Sequence, residues 1–196
     1  MSLVLEAIKP PLRIVPEEPI SVDEFWRLSA ENRDLRLERW ANGDVTVMTP
    51  TKRNTGSRNF YIAQMLGNWA DADGRGEGFD SSTGFELPDG SVLSPDCCWA
   101  AFDHLKLAEK DGVELPLCPD FVIELRSTTD RLAALRAKMS VWIANGVELG
   151  WLIDPERRVV EVYRPGEAAE MHEDPTSVQG DGPVRGFELV MARVWG

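Results

Sequence analysis

Residues Pro119 to Pro155 read PDFVIELRSTTDRLAALRAKMSVWIANGVELGWLIDP, and this stretch decides the fold. It predicts a strand, an amphipathic helix and a second strand. Read with period two, Asp120, Val122, Glu124 and Arg126 share one face of the first strand, and Phe121, Ile123 and Leu125 share the other. A run so rich in Val, Ile, Leu and Phe belongs inside a sheet, so charges on one of its faces need a reason. Either that face borders a cleft with chemistry in it, or it is simply wet. The helix is expected from about Asp130, with Leu132, Leu135, Met139, Trp142 and Ile143 as its apolar stripe. At about 100° per residue, Arg131 and Lys138 fall together on one edge of that stripe. Lys138 can therefore lean along the sheet, or snorkel to water on its aliphatic stem. Asn145-Gly146 stops the helix.

Working outward, Val147 to Ile153 and Arg158 to Tyr163 form a hairpin across Asp154-Pro155-Glu156-Arg157. Its Trp and Val content offers an exposed edge for a second copy. Residues 165 to 186, rich in Gly, Pro and acids, read as a mobile excursion, and Phe187 to Val194 as a last edge strand. Toward the N-terminus, Ser94-Pro95-Asp96 precedes an apolar strand, Cys97 to Phe102. Asp96 there is a turn former or a site residue. Asp120 is expected to cap or bond locally, and residues 104 to 116 to be a solvated helix or loop. A helix from about Ser57 to Asp73 is expected to pack through Phe60, Ile62, Ala63, Leu66, Trp69 and Ala70, with Gly74 and Gly76 ending it. Asp34 to Trp40 and Asp44 to Met48 form a hairpin around Asn42-Gly43. Glu38 is a strand carboxylate near that turn, on the face of Arg36 and Trp40. Ser21-Val22-Asp23-Glu24 reads as a capping box opening a short helix. Residues 1 to 19, with four prolines, read as an irregular arm.

The whole chain of 196 residues reads as one domain, long enough for a real core. Its net charge of −12 and pI near 4.6 exclude a broad nucleic-acid-coating surface but not a small basic site. The three cysteines, Cys97, Cys98 and Cys118, have neither zinc-ligand nor disulfide-framework spacing, and read as buried thiols in a reducing cytoplasm. No signal peptide and no membrane span is expected. His104 and His172 read as surface residues.

Taken together, several strings resemble the Uma-two family of endonucleases, within the PD-(D/E)XK nuclease superfamily. They are MTP at Met48–Pro50, FDSSTGFELPDGSVLSPD at Phe79–Asp96, CPDFVIELRS at Cys118–Ser127, the Lys-bearing helix, and NGVELGWLIDPERRVVEVYRPG at Asn145–Gly166. The likeness runs from about residue 20 to about residue 165. It implies an α/β fold with a restriction-endonuclease-like core, a mixed sheet flanked by helices with an N-terminal β-hairpin. It implies a metal-dependent endonuclease that cuts DNA and often dimerises. Asp96 matches the superfamily's Pro-Asp position and Glu124 its second acid. Arg126 stands where Lys is usual, which departs from the pattern. Lys138 in ALRAKMSVW matches the lysine that this family supplies from the following helix, and Glu38 matches a hairpin Glu near the site. Asp96, Glu124 and the Leu125 carbonyl are the implied ligands of Mg²⁺ or Mn²⁺. Lys138 is the implied base or transition-state donor and Arg126 the phosphate clamp. The departure at Arg126 and the acidic surface leave a second reading, a catalytically degenerate nuclease scaffold that binds DNA or protein.

Overall fold

Strands made of Val, Ile and Leu must be covered on both faces, and the order of elements along this chain provides the covers. The computed structural model describes residues 12–48, 50–110 and 113–196. The first eleven residues of the expected N-terminal arm thus lie outside the described residues. The rest of that arm is more regular than expected: Leu12–Ile14 (β1) is a strand. Val22–Glu31 (α1) opens with the expected capping box, Ser21 accepting from the Glu24 amide and Glu24 from the Ser21 amide. Arg36–Arg39 (β2) and Val45–Met48 (β3) form the hairpin. Trp40 and Asp44 close its loop, and Gly43 takes the left-handed conformation the last loop position needs (φ 84°). Arg53–Asp73 (α2) follows and ends at a left-handed Gly74. Gly76–Asp80 (β4), Phe85–Glu86 (β5), Val92–Leu93 (β6) and Cys97–Ala101 (β7) come next. Phe102–Leu107 (α3) leads to a small hairpin, Glu109–Lys110 (β8) and Val113–Glu114 (β9).

Phe121–Leu125 (β10), Leu132–Ala144 (α4) and Leu149–Asp154 (β11) are the strand, helix and strand read from the sequence. The helix starts two residues later than expected, because the Asp130 carboxylate is engaged by the Ser127 amide at 2.8 Å. β10 and β11 are parallel, and α4 is the crossover that a parallel pair requires. Val159–Tyr163 (β12) and Glu170–Glu173 (β13) extend the sheet, giving the order β13-β12-β11-β10-β7-β4, antiparallel except at β10–β11. A second sheet has the order β1-β3-β2-β6-β5.

β10 is buried along its whole length, so its charged face is not the wet one. Phe121, Ile123 and Leu125 join the core under α2. Val122 joins the core under α4, with Met139 and Trp142. The α2 face is the expected one at Ile62, Ala63, Leu66, Trp69 and Ala70, but Tyr61 takes the place expected for Phe60: it is buried and bonds the Val190 carbonyl, while Phe60 is 68% exposed. Three further expectations are corrected. Residues 165–186 carry β13 and Ser177–Gln179 (β14), not an irregular excursion alone. Only Glu188–Val190 (β15) of the expected last strand is a strand, and it pairs with β14, outside the main sheet. Ala192–Trp195 (α5) is helical, which puts Val194 and Trp195 into the core. The hairpin from Trp151 to Tyr163 offers no free edge, since Trp151 is 1% exposed and β13 pairs along β12. Among the described residues no helix is long and apolar enough to cross a membrane.

Candidate active site

The antiparallel register of β7 and β10 pairs Ile123 with Cys97, and one step further along it brings Asp96 beside Glu124. Asp96 completes the ladder with both backbone and side chain. Its amide donates to the Ile123 carbonyl, and its Oδ2 accepts from the Leu125 amide at 2.7 Å. Its Oδ1 accepts from Asn59 Nδ2 at 3.2 Å, so α2 reaches the site from the other side of the sheet. The Pro-bounded turn therefore aims a carboxylate at the second acid.

Glu124 is 3% exposed on the α4 face of the sheet. Its Oε1 accepts from Trp142 Nε1 at 2.9 Å and lies 2.9 Å from Lys138 Nζ. Its Oε2 makes no hydrogen bond among the described residues. Lys138 and Trp142 stand one helical turn apart on α4, so both meet Glu124, and the ammonium sits 5.9 Å from the indole centre. Lys138 does not snorkel. It is buried, with Nζ 2.7 Å from Glu38 Oε1 and 2.8 Å from the Ser94 carbonyl. Glu38, 2% exposed on β2, also accepts from the Ser94 amide at 3.2 Å. Four separated pieces of chain thus converge: Glu38, the Ser94–Asp96 turn, Glu124 and Lys138.

The electrostatics follow from this placement. Burial raises the Asp96 carboxyl above its ordinary value, against the pull of the Leu125 amide, Lys138, Arg36 and Asn59. Burial pushes Glu124 up to about 7, where Lys138 opposes the rise and the Asp96 and Glu38 charges add to it. Burial disfavours the Lys138 ammonium, but Glu124 and Glu38 outweigh it and hold the lysine protonated. Three carboxyls face one ammonium, so the cluster carries more anionic than cationic capacity.

Arg126 is not brought to the others. Its guanidinium lies 2.8 Å from Asp154 and 3.5 Å from Glu156, at the end of β11. Asp120 does not bond locally: it accepts from the Ala101 amide at the end of β7, 19 residues away, and lies 2.6 Å from His104 Nδ1 on α3. Burial drives the thiols of Cys97 and Cys98 well above the ordinary cysteine value, and Cys118 up to about 12, so none is a nucleophile.

Three contributors escaped the sequence reading. Trp142 looked like one more residue of an apolar stripe, although its spacing of four from Lys138 was a usable signal. Asn59 gave none, since its partner lies 37 residues away and nothing local marks it. Arg36, two residues before Glu38 on the same face of β2, was visible only as an alternation.

The donor types suit a hard divalent cation: carboxylate oxygens, one of them without a hydrogen bond, three carboxyls to the one lysine they surround. Among the described residues no three His, Cys, Asp or Glu side chains converge as ligands.

The chain is similar in structure to a protein of Anabaena variabilis described as "a putative nuclease belonging to DUF820". The two share 19% identity over 90% of this chain and 98% of the other, with a TM-score of 0.76, which shows a common fold. A weaker likeness, TM-score 0.41 at 16% identity, links 63% of this chain to 10% of a chain in a DrdV–DNA complex. No curated protein matches the sequence. The sequence pattern of the Uma2 family, described as "Putative restriction endonuclease", matches residues 22–192. With the β-hairpin, the mixed sheet between helices and the Asp96–Glu124–Lys138 cluster in place, the chain belongs to the Uma2 family of restriction-endonuclease-like proteins.

Proposed function

We propose that the protein is a metal-dependent endonuclease that hydrolyses phosphodiester bonds of DNA. The observation that carries this is the meeting of Asp96, Glu124 and Lys138, from a turn, a strand and a helix, beside an unbonded carboxylate oxygen. Asp96, Glu124 and the Leu125 carbonyl would hold Mg²⁺ or Mn²⁺, which when bound lowers the pKa of a water and offsets phosphate charge. Asn59 and the Leu125 amide fix the Asp96 carboxylate, and Trp142 fixes Glu124. Lys138 is held protonated by its carboxylates and its donors are taken by Glu38, Glu124 and the Ser94 carbonyl, so it acts through its positive charge on the developing phosphate charge, not as a base. Glu38 anchors Lys138. Arg126, tied to Asp154, supports the end of β11 instead of clamping a phosphate.

Supercoiled plasmid and single-stranded DNA, incubated with Mg²⁺, Mn²⁺ or EDTA, test the reading. Metal-dependent nicking by the parent, reduced about a hundredfold or more in Asp96→Ala and Glu124→Ala, is the expected result. Nicking that survives both substitutions overturns it. One observation favours a second reading, a degenerate scaffold. The Lys138 ammonium already sits on Glu38, Glu124 and Ser94, which leaves the cluster partly self-neutralised. Absence of Mn²⁺ binding in calorimetry, with retained DNA association, would select it. A homodimer in the cytoplasm completes the proposal, since two sites cut two strands. Sedimentation at micromolar concentration decides that point.

A further inference from the structure

Beside the carboxylates, between α1 and the outer face of β2, lies a groove of about 510 Å³ lined by Trp26, Arg33, Arg36, Ser82 and Ser94. Ser94 is part of its lining, and since the Ser94 amide meets Glu38 and its carbonyl meets Lys138, the groove and the candidate active site share that residue. Arg36 stands on the same face of β2 as Glu38. Its Nε is buried without a hydrogen-bond partner, and among the described residues its guanidinium makes no ion pair. Its charge is nonetheless felt at the Asp96 and Asp80 carboxyls. Its Nη groups make no hydrogen bond among the described residues, and a phosphodiester, whose two unesterified oxygens can accept from a guanidinium fork, is a ligand that would pair with this permanent cation.

Along the groove, Trp26 is 41% exposed. Its ring lies over Gly84, where an added Cβ would stand 3.2 Å from Cη2, and the neighbouring Phe25 ring meets it edge-on at 5.7 Å. The indole is therefore fixed and offers free area to the groove. A fixed aromatic surface beside a basic track is how proteins take up single strands without reading sequence. Asp34 also lines the groove, so the cationic track is short, Arg33 and Arg36.

Building on the nuclease reading, we propose that this groove receives a single DNA strand, with a phosphate at Arg36 and a base on the Trp26 ring. The strand then runs past Ser94 toward Asp96 and Glu124.

Fluorescence anisotropy of a labelled oligothymidylate of about twelve residues, and of a duplex of equal length, in EDTA and low salt, tests the groove apart from cleavage. The parent is expected to bind the single strand more tightly than the duplex. Arg36→Ala should weaken single-strand binding about tenfold or more, with Arg36→Lys recovering part of the loss. Trp26→Ala should weaken it about tenfold and leave the duplex unaffected, while Trp26→Phe keeps most of the affinity. Variants whose melting temperature departs from the parent's are read through their Lys and Phe counterparts. Equal binding by parent, Arg36→Ala and Trp26→Ala overturns the proposal, as does a parent that binds no single strand. A duplex preference with no Trp26 effect also overturns it. Metal-dependent nicking lost in Asp96→Ala, with the groove variants still binding like the parent, sinks the groove and keeps the nuclease. Loss of oligothymidylate binding in the groove variants, with no cutting by the parent, does the reverse.

Discussion

At the scale of residues, the buried Lys138 governs what its neighbours can do. Replacing it with Met leaves Glu38 and Glu124 buried without their counter-charge, an arrangement that costs about 3–5 kcal/mol. Urea unfolding at pH 8 should show a loss of that size for Lys138→Met, and a smaller loss at pH 5.5. The sign follows from Glu124. Its carboxyl is pushed up to about 7, above the ordinary value of 4.5, so the fold favours its protonated form. Stability from this group is therefore present below about 4.5 and lost as pH rises toward and through 7. At low pH Glu124 takes up a proton and needs no lysine. The same shift predicts the pH dependence of cation binding. A carboxylate ligand must be deprotonated, so Mn²⁺ affinity measured by calorimetry should rise by up to about tenfold per pH unit below 7 and level off above it. Affinity independent of pH between 5.5 and 8 would remove Glu124 from the ligand set. Among single residues, Asp96 and Glu124 were legible because a Pro-Asp turn and a charged face on an apolar strand are local patterns. Lys138 was legible as an edge position, but its burial was not. Burial here depends on Glu38, which approaches from the other sheet. The pairing of Arg126 was not legible, because period two gives a face and not a partner, and Asp154 sits on the neighbouring parallel strand.

At the scale of elements, α4 must lie close to the sheet for Lys138 to reach Glu124. Gly150 in β11 permits this, since a Cβ there would overlap the Met139 methyl. Gly150→Ala is expected to cost about 1–3 kcal/mol and to lower nicking activity, and Met139→Leu in the same chain should recover part of both. Gly76 in β4 is a harder case, because a Cβ there meets the Ala100 carbonyl and the Trp99 ring, which have nowhere to go. Gly76→Ala should lower the melting temperature more than Gly150→Ala, as scanning calorimetry of the pair would show. The strand, helix and strand around β10 were legible because period two, then the helical period, then an Asn-Gly stop follow one another without conflict. Other elements were not. Ala192–Trp195 looks extended by composition, and only the core it fills makes it a helix. On α2 only Phe60 was misassigned, because Phe60 and Tyr61 are adjacent aromatics and either could fill that place. Tyr61 wins it with a hydrogen bond to Val190 as well as an apolar ring.

At the scale of the whole molecule, two sheets meet at the site, and the buried polar link there is the Glu38 side chain bonded to Lys138 and Ser94, with Asp89 bonding Asn145 farther off. The small sheet keeps its own apolar cluster of Phe25, Leu37, Val45 and Val92. Glu38→Ala should therefore let the small sheet open by itself. Hydrogen exchange at β2 and β3 amides is expected to quicken, while β10 and β11, buried between α2 and α4, keep their protection. Uniform acceleration across both sheets would mean that the link carries no such role. The sheet order itself was beyond reach of the sequence, because pairing between β10 and β7, or between β2 and β6, joins segments with no shared local signal. The link between Glu38 and Lys138 spans 100 residues of chain. A ribosome delivers Glu38 long before Lys138, and the turn bearing Asp96 before the strand bearing Glu124. Until the helix after that strand has emerged and docked, no assembled centre exists. On the proposed reading, a chain that stops short of that helix cannot cut DNA, and activity would appear only once the helix has been made and docked.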